Sequence, residues 1–155
     1  MNPKRLLKSA FVVLFLASIF SISAMGQASA IPTSQLINPE DLVKLLQTAE
    51  KQEPLMIQVG SHVLYAQAHI PHSEYIGPGS SASGLQQLRK RVDPLPRTKM
   101  IVLYCGCCPW GRCPNVKPPY DALAGMGFRN LKVLYIADNF GTNWVDKGYP
   151  TAKGE

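Results

Sequence analysis

Met100-Ile101-Val102-Leu103-Tyr104-Cys105-Gly106-Cys107-Cys108-Pro109-Trp110-Gly111-Arg112-Cys113-Pro114-Asn115 decides how this chain is read. Met100 to Tyr104 is apolar almost throughout, as a central parallel strand covered on both faces must be. The run then delivers all four cysteines of the protein within nine residues. Beyond them, Pro118-Pro119 is tolerated only in the first turn of a helix. A helix is therefore predicted from near Pro118, carrying Tyr120, Leu123 and Met126 until Gly127 ends it. Thiols gathered where a strand ends and a helix begins point to sulfur or metal chemistry, because backbone N–H groups there favour a thiolate.

Working outward, Asn38-Pro39-Glu40 opens a helix: Asn38 caps, Pro39 suits the first helical position, and Glu40 and Asp41 face the positive end of the dipole. Leu42, Val43, Leu45 and Leu46 give it an apolar face through about Ala49. Pro54 ends that region, Leu55 to Val59 reads as a short buried strand, and Gly60-Ser61 turns away from it. Residues 60–83 carry little periodicity, and Ile76 to Ser81 is a loop by composition. A helix is predicted from Gly84 to Val92 with Leu85, Leu88 and Val92 inward, stopped by Asp93-Pro94-Leu95-Pro96. Leu131 to Ile136 is a third strand, and a final short helix holds Phe140 and Trp144 before Gly148-Tyr149-Pro150. Strands alternating with helices predict an α/β sandwich with a mainly parallel sheet. Ligands gather at the carboxyl ends of such strands, where the cysteine loop lies.

The first thirty residues are set apart from this pattern. Lys4, Arg5 and Lys8 precede an apolar stretch from Ala10 to Ile22, and Ala28-Ser29-Ala30 fits a cleavage site. A cleaved signal peptide is expected over 1–30, leaving one domain over 31–155 in a periplasmic or secreted location. The apolar core is short of the ~20 residues of a spanning helix, so no membrane contact is expected after cleavage. Removing three of sixteen basic residues leaves thirteen against ten acidic, so the formal charge falls from +6 to +3. No block of Lys and Arg interleaved with aromatics suggests nucleic-acid binding, and Arg89-Lys90-Arg91 reads as one solvated helix end.

Export makes disulfides the first reading of an even cysteine count. A Cys108–Cys113 bridge would rigidify the loop but, closing so small a ring, would add little global stability. Cys105, Cys107, Cys108 and Cys113 also offer enough soft ligands for zinc or copper(I), although paired Cys-x-x-Cys spacing is missing.

Five segments in order resemble a rhodanese-like domain, the sulfurtransferase fold. They are Leu55-Met56-Ile57-Gln58-Val59; Tyr65-x-x-Ala68-His69-Ile70-Pro71; Ile101-Val102-Leu103-Tyr104-Cys105; Gly127-Phe128-x-Asn130-Leu131-x-Val133-Leu134; and Trp144-x-x-x-Gly148-Tyr149-Pro150. The resemblance spans about Leu36 to Pro150 and implies a rhodanese-like three-layer sandwich. Departures are plain as well. Gln58 and Gly60 replace the family's acidic residue and Arg, Ala68 replaces Gly, and Asp138-Asn139 stands near a usual Gly pair. The family places four residues between its cysteine and an Arg. Here six separate Cys105 from Arg112, whereas four separate Cys107 from it. Cysteine-based phosphatases on related loops use five, which neither cysteine offers.

The resemblance implies that a thiolate on the 105–113 loop takes sulfane sulfur as a persulfide and passes it to a thiol or cyanide. Cys105 holds the strand-end position and is the first choice as nucleophile, with Cys107 and Cys108 as alternates. Gly106, Cys107, Cys108, Trp110, Gly111 and Arg112 would form the substrate-binding loop. The two glycines let the backbone curl, and Arg112 would hold an anionic donor such as thiosulfate. The expected partners are such a donor and a thiol or persulfide acceptor, with no cofactor and no set oligomeric state. The alternative is a non-catalytic thiol redox or metal-binding module using the same cysteines. His69, within the His-Ile-Pro turn, is expected to be structural, and Phe140 and Trp144 to belong to the core.

Overall fold

The computed structural model describes residues 31–49 and 53–154; the expected signal peptide lies outside the described residues. Five strands, β1 (Leu36–Ile37), β2 (Leu55–Gln58), β3 (Glu74–Tyr75), β4 (Ile101–Tyr104) and β5 (Leu131–Leu134), form one sheet in the order β1-β5-β4-β2-β3. Every pairing is parallel. β4 is central, and both it and β2 are buried at every position. This explains why their sequences run apolar without alternation.

The period of two nevertheless sorts side chains between the faces. Leu55, Ile57, Ile101, Leu103, Cys105, Leu131 and Val133 point to one side, packing with Leu88 and Val92 of α3 (Ala82–Val92) and Leu123 of α4 (Lys117–Gly125). Met56, Val102, Tyr104 and Leu134 point to the other, against Leu42 of α1 (Pro39–Thr48), Ile70, Phe140 and Trp144. The result is helix, sheet and helix layers, with Cys105 continuing the face that looks toward α3 and α4.

Three elements depart from the sequence reading. Residues 60–83 are not all loop: α2 (His62–Gln67) and β3 lie within them, and β1 precedes α1. β1 and β3 have two residues each, too few for any periodicity. In α2 the apolar pattern faces outward, with Val63 64% and Leu64 38% exposed and only Tyr65 buried. The final helical segment is a π-type turn over Gly141–Val145, closed by Asp146 N–H donating to the Gly141 carbonyl at 2.8 Å. It buries Trp144, whose Nε1 donates to the Pro150 carbonyl at 2.9 Å. His69 takes the structural role its turn predicted. It is buried, stacked on Tyr65 at 3.9 Å, and donates from Nδ1 to the Tyr65 carbonyl at 2.8 Å.

Candidate active site

β4 ends at Tyr104, and the next residue is Cys105, only 4% exposed. Its Sγ fits because Gly60, following β2, has no side chain: a Cβ there would lie 2.9 Å from that sulfur. Gln58 fixes the same corner. Its Nε2 donates to the Cys105 carbonyl at 3.3 Å, and its Oε1 accepts from Gly60 N–H at 3.0 Å. Gln58 thus forms a neutral clamp on the cysteine's backbone, and Gly60 leaves room for its sulfur.

Gly106 then turns the chain back with φ +82, a conformation glycine takes without strain. A Cβ there would also meet the Phe140 Cβ at 2.5 Å, and Phe140 N–H donates to the Gly106 carbonyl at 3.0 Å. This reversal brings Cys107 Sγ to 3.1 Å from Cys105 Sγ, and Cys108 Sγ lies 3.2 Å beyond Cys107. Cys113 returns to the cluster, so the sulfurs of Cys105, Cys107 and Cys113 all lie within 4.8 Å of one another.

Asn115 completes the arrangement. Its Nδ2 points at the sulfurs of Cys105 and Cys107, 3.8 Å from each. Ser80 sets the amide's orientation by donating to Asn115 Oδ1 from its backbone N–H at 3.2 Å and its hydroxyl at 2.7 Å. The glycine before it matters too: a Cβ on Gly79 would fall 2.0 Å from the Asn115 carbonyl oxygen.

The thiols of the cluster shift one another's ionisation. Cys113 is pulled down to about 6, first by the hydrogen bond from Cys105, then by those from Asn115 N–H and the other thiols, against the cost of burial. Cys105 is pushed well up by that same contact with Cys113 and by burial, partly offset by the Cys107 N–H. Cys108 is pushed up to about 12, by desolvation first and then by its thiol neighbours. The mutual hydrogen bonds therefore favour ionisation at Cys113 and oppose it at Cys105 and Cys108.

Cys105, Gly106 and Cys107 open on a cleft of about 260 Å³, lined also by Gln58, Leu64, Gln67, Ala68, Asn139, Phe140 and Val145. Among the described residues, no Lys or Arg is in that lining. Trp110 packs on the underside with Val116 and Ile136, its ring 5.8 Å from Tyr135. Gly111 and Arg112 are exposed on a 3₁₀ turn, outside the lining of the cleft and of the space beneath the loop. Of the candidates read from sequence, the tertiary structure gathers the four cysteines and Gly106 and sets Trp110 beneath them. Gln58, Gly60, Ser80 and Asn115 were missed as contributors. Only the altered signature at Gln58 and Gly60 gave a signal.

Neither a protein-family sequence model nor a curated protein sequence matches the chain. Solved structures do. A rhodanese-like domain from Anabaena sp. matches with TM-score 0.55 at 18% identity, over 77% of this chain and 79% of that one. A single-domain sulfurtransferase from Saccharomyces cerevisiae matches with TM-score 0.54 at 16% identity, over 77% and 94%. A protein of unknown function and possible tyrosine phosphatase from Rhodopseudomonas palustris matches with TM-score 0.52 at 17% identity, over 76% and 84%. The fold is therefore rhodanese-like, an α/β architecture with an all-parallel five-stranded sheet. Identities this low fix the fold, and the chemistry has to be argued from the site.

Proposed function

We propose that this protein is an exported sulfurtransferase that carries sulfane sulfur as a persulfide on Cys105. The observation carrying this reading is the placement of Cys105. It stands at the carboxyl end of the central strand and opens on a cleft, with Cys107 N–H and the Asn115 amide directed at its sulfur. With thiosulfate as donor, Cys105 attacks the outer sulfur, and its proton passes to the departing sulfite. The S–S bond of the donor breaks, sulfite leaves with the electron pair, and the new S–S bond sits on Cys105. Cys107 N–H and the Asn115 amide donate toward the anionic sulfur. Among the described residues, amides rather than cations line the cleft, with Gln58, Gln67 and Asn139 in its wall. The matching sulfurtransferase fold is consistent with this chemistry. The test is to incubate reduced, metal-free protein with thiosulfate and measure its intact mass. Gain of one sulfur, absent in Cys105→Ser, is expected; no gain in either protein refutes the reading.

A second reading rests on the three sulfurs within 4.8 Å, a spacing compatible with a soft metal ion such as copper(I) or zinc. Its measure is metal content after purification under reducing conditions. Stoichiometric metal, lost in Cys105→Ser and Cys113→Ser alike, together with failure of persulfide formation, would favour this reading over transfer.

A further inference from the structure

Rhodanese chemistry needs one cysteine, so a second thiol at 3.1 Å from the first calls for its own explanation. We infer that Cys107 resolves the Cys105 persulfide from within, releasing sulfide and closing a Cys105–Cys107 disulfide. The protein would then act as a sulfane-sulfur reductase driven by an external dithiol reductant. This rests on the persulfide reading above and names the sulfur's fate.

Distance decides which atom of the persulfide Cys107 attacks. Displacement at sulfur is in line, with the incoming and leaving sulfurs on opposite sides of the atom attacked. Reaching the outer sulfur in that way would need the two cysteine sulfurs well separated, with the transferred atom between them. At 3.1 Å the Cys107 sulfur already stands at near-attack distance from the inner one. The outer sulfur can then leave into the cleft, which both cysteines line. The loop imposes this spacing: Gly106 at φ +82 reverses the chain between the thiols, and Phe140 holds it there. Asn115 Nδ2 spans both sulfurs, so it serves as a positioning residue for the pair.

The step balances as follows. Cys107 attacks the Cys105 sulfur, and its proton passes to the anionic outer sulfur of the persulfide. The persulfide S–S bond breaks, and the outer sulfur leaves as hydrosulfide with the electron pair. Two cysteines are oxidised to a disulfide while one sulfane sulfur is reduced to sulfide; the sulfane sulfur is the oxidant. A dithiol then reduces the disulfide, which is strained because it closes over a single residue, and the cycle restarts.

The experiment adds thiosulfate to the reduced full-length protein without external thiol, following intact mass and free sulfide. Wild type should pass through a species heavier by one sulfur to one lighter by two hydrogens, with sulfide released and peptide mapping joining Cys105 to Cys107. Cys107→Ser should stop at the heavier species and release sulfide roughly tenfold more slowly or less, because the intramolecular attack is gone. Lys44→Ala, an exposed change on α1 away from the cluster, should behave as wild type. A wild-type persulfide as long-lived as that of Cys107→Ser, or sulfide release abolished only by Cys108→Ser, overturns the inference. Failure of Cys107→Ser to gain any sulfur, with wild type equally inert, instead overturns the sulfurtransferase reading beneath it.

Discussion

At the scale of single residues, the site is governed by how neighbouring thiols bias one another's ionisation. A lone buried cysteine would resist ionisation, since burial disfavours the charged form. Here Cys113 collects hydrogen bonds from its neighbours and is pulled down to about 6, while the same contact and burial push Cys105 up. Alkylation of the cluster by iodoacetamide should therefore rise with pH through about 6 and fall away below it, where the thiolate is protonated. In Cys113→Ser the inflection should return to the ordinary thiol range of about 8–9. A single inflection in that upper range for both proteins would contradict this mutual bias. Gly106 supplies a second residue-scale prediction. Gly106→Ala places a Cβ at positive φ and against Phe140, and should cost about 1–3 kcal/mol in urea unfolding and prevent persulfide formation. Unchanged sulfur uptake in Gly106→Ala would show that the loop reversal is dispensable.

At the scale of elements, β4 acts as the beam that carries Cys105, and its last residue is anchored on the opposite face. Tyr104 is buried, and its hydroxyl accepts from Ile70 N–H at 3.2 Å and pairs with Ser73 Oγ at 2.7 Å. Tyr104→Phe would leave the Ile70 N–H without its partner and should lower stability by about 1–3 kcal/mol in urea titration. Tyr104 also lines the cleft, but the substitution keeps its ring, so persulfide formation in the folded variant should survive. The long elements were legible in sequence because each shows its period or its unbroken apolar run: α1, α3 and α4, and β2, β4 and β5. α2 was hidden because Val63 and Leu64 face solvent, contrary to the rule used to find helices. β1 and β3 were hidden by brevity; their existence depends on β5 and β2 offering an edge.

At the scale of the whole molecule, the layered sheet brings four stretches of chain to one corner: Gln58–Gly60, the 78–81 turn, the 105–115 loop and the segment at Phe140. The leader read at residues 1–30 belongs to this scale as well, because export would place the thiols under oxidising conditions. Expressed with its leader in an exporting bacterial host, the protein should be recovered from the periplasmic fraction with Ile31 as its first residue. Full-length protein confined to the cytosol, established by N-terminal sequencing of each fraction, would remove export from the proposal.

The sequence by itself determined the alternation of strands and helices, the strand-end station of Cys105 and the gathering of all thiols in one loop. These are local properties, set by hydrophobic period, by proline and glycine chemistry, and by spacing along the chain. It left open whether Cys105 or Cys107 matters more, because a residue count to Arg112 cannot give a distance between sulfurs. Only the tertiary structure decided that the two thiols touch, that Asn115 spans them, and that Arg112 lies outside the cleft lining. Those relations join residues held together by parallel strand pairing and by packing across the sheet, interactions that no local pattern encodes.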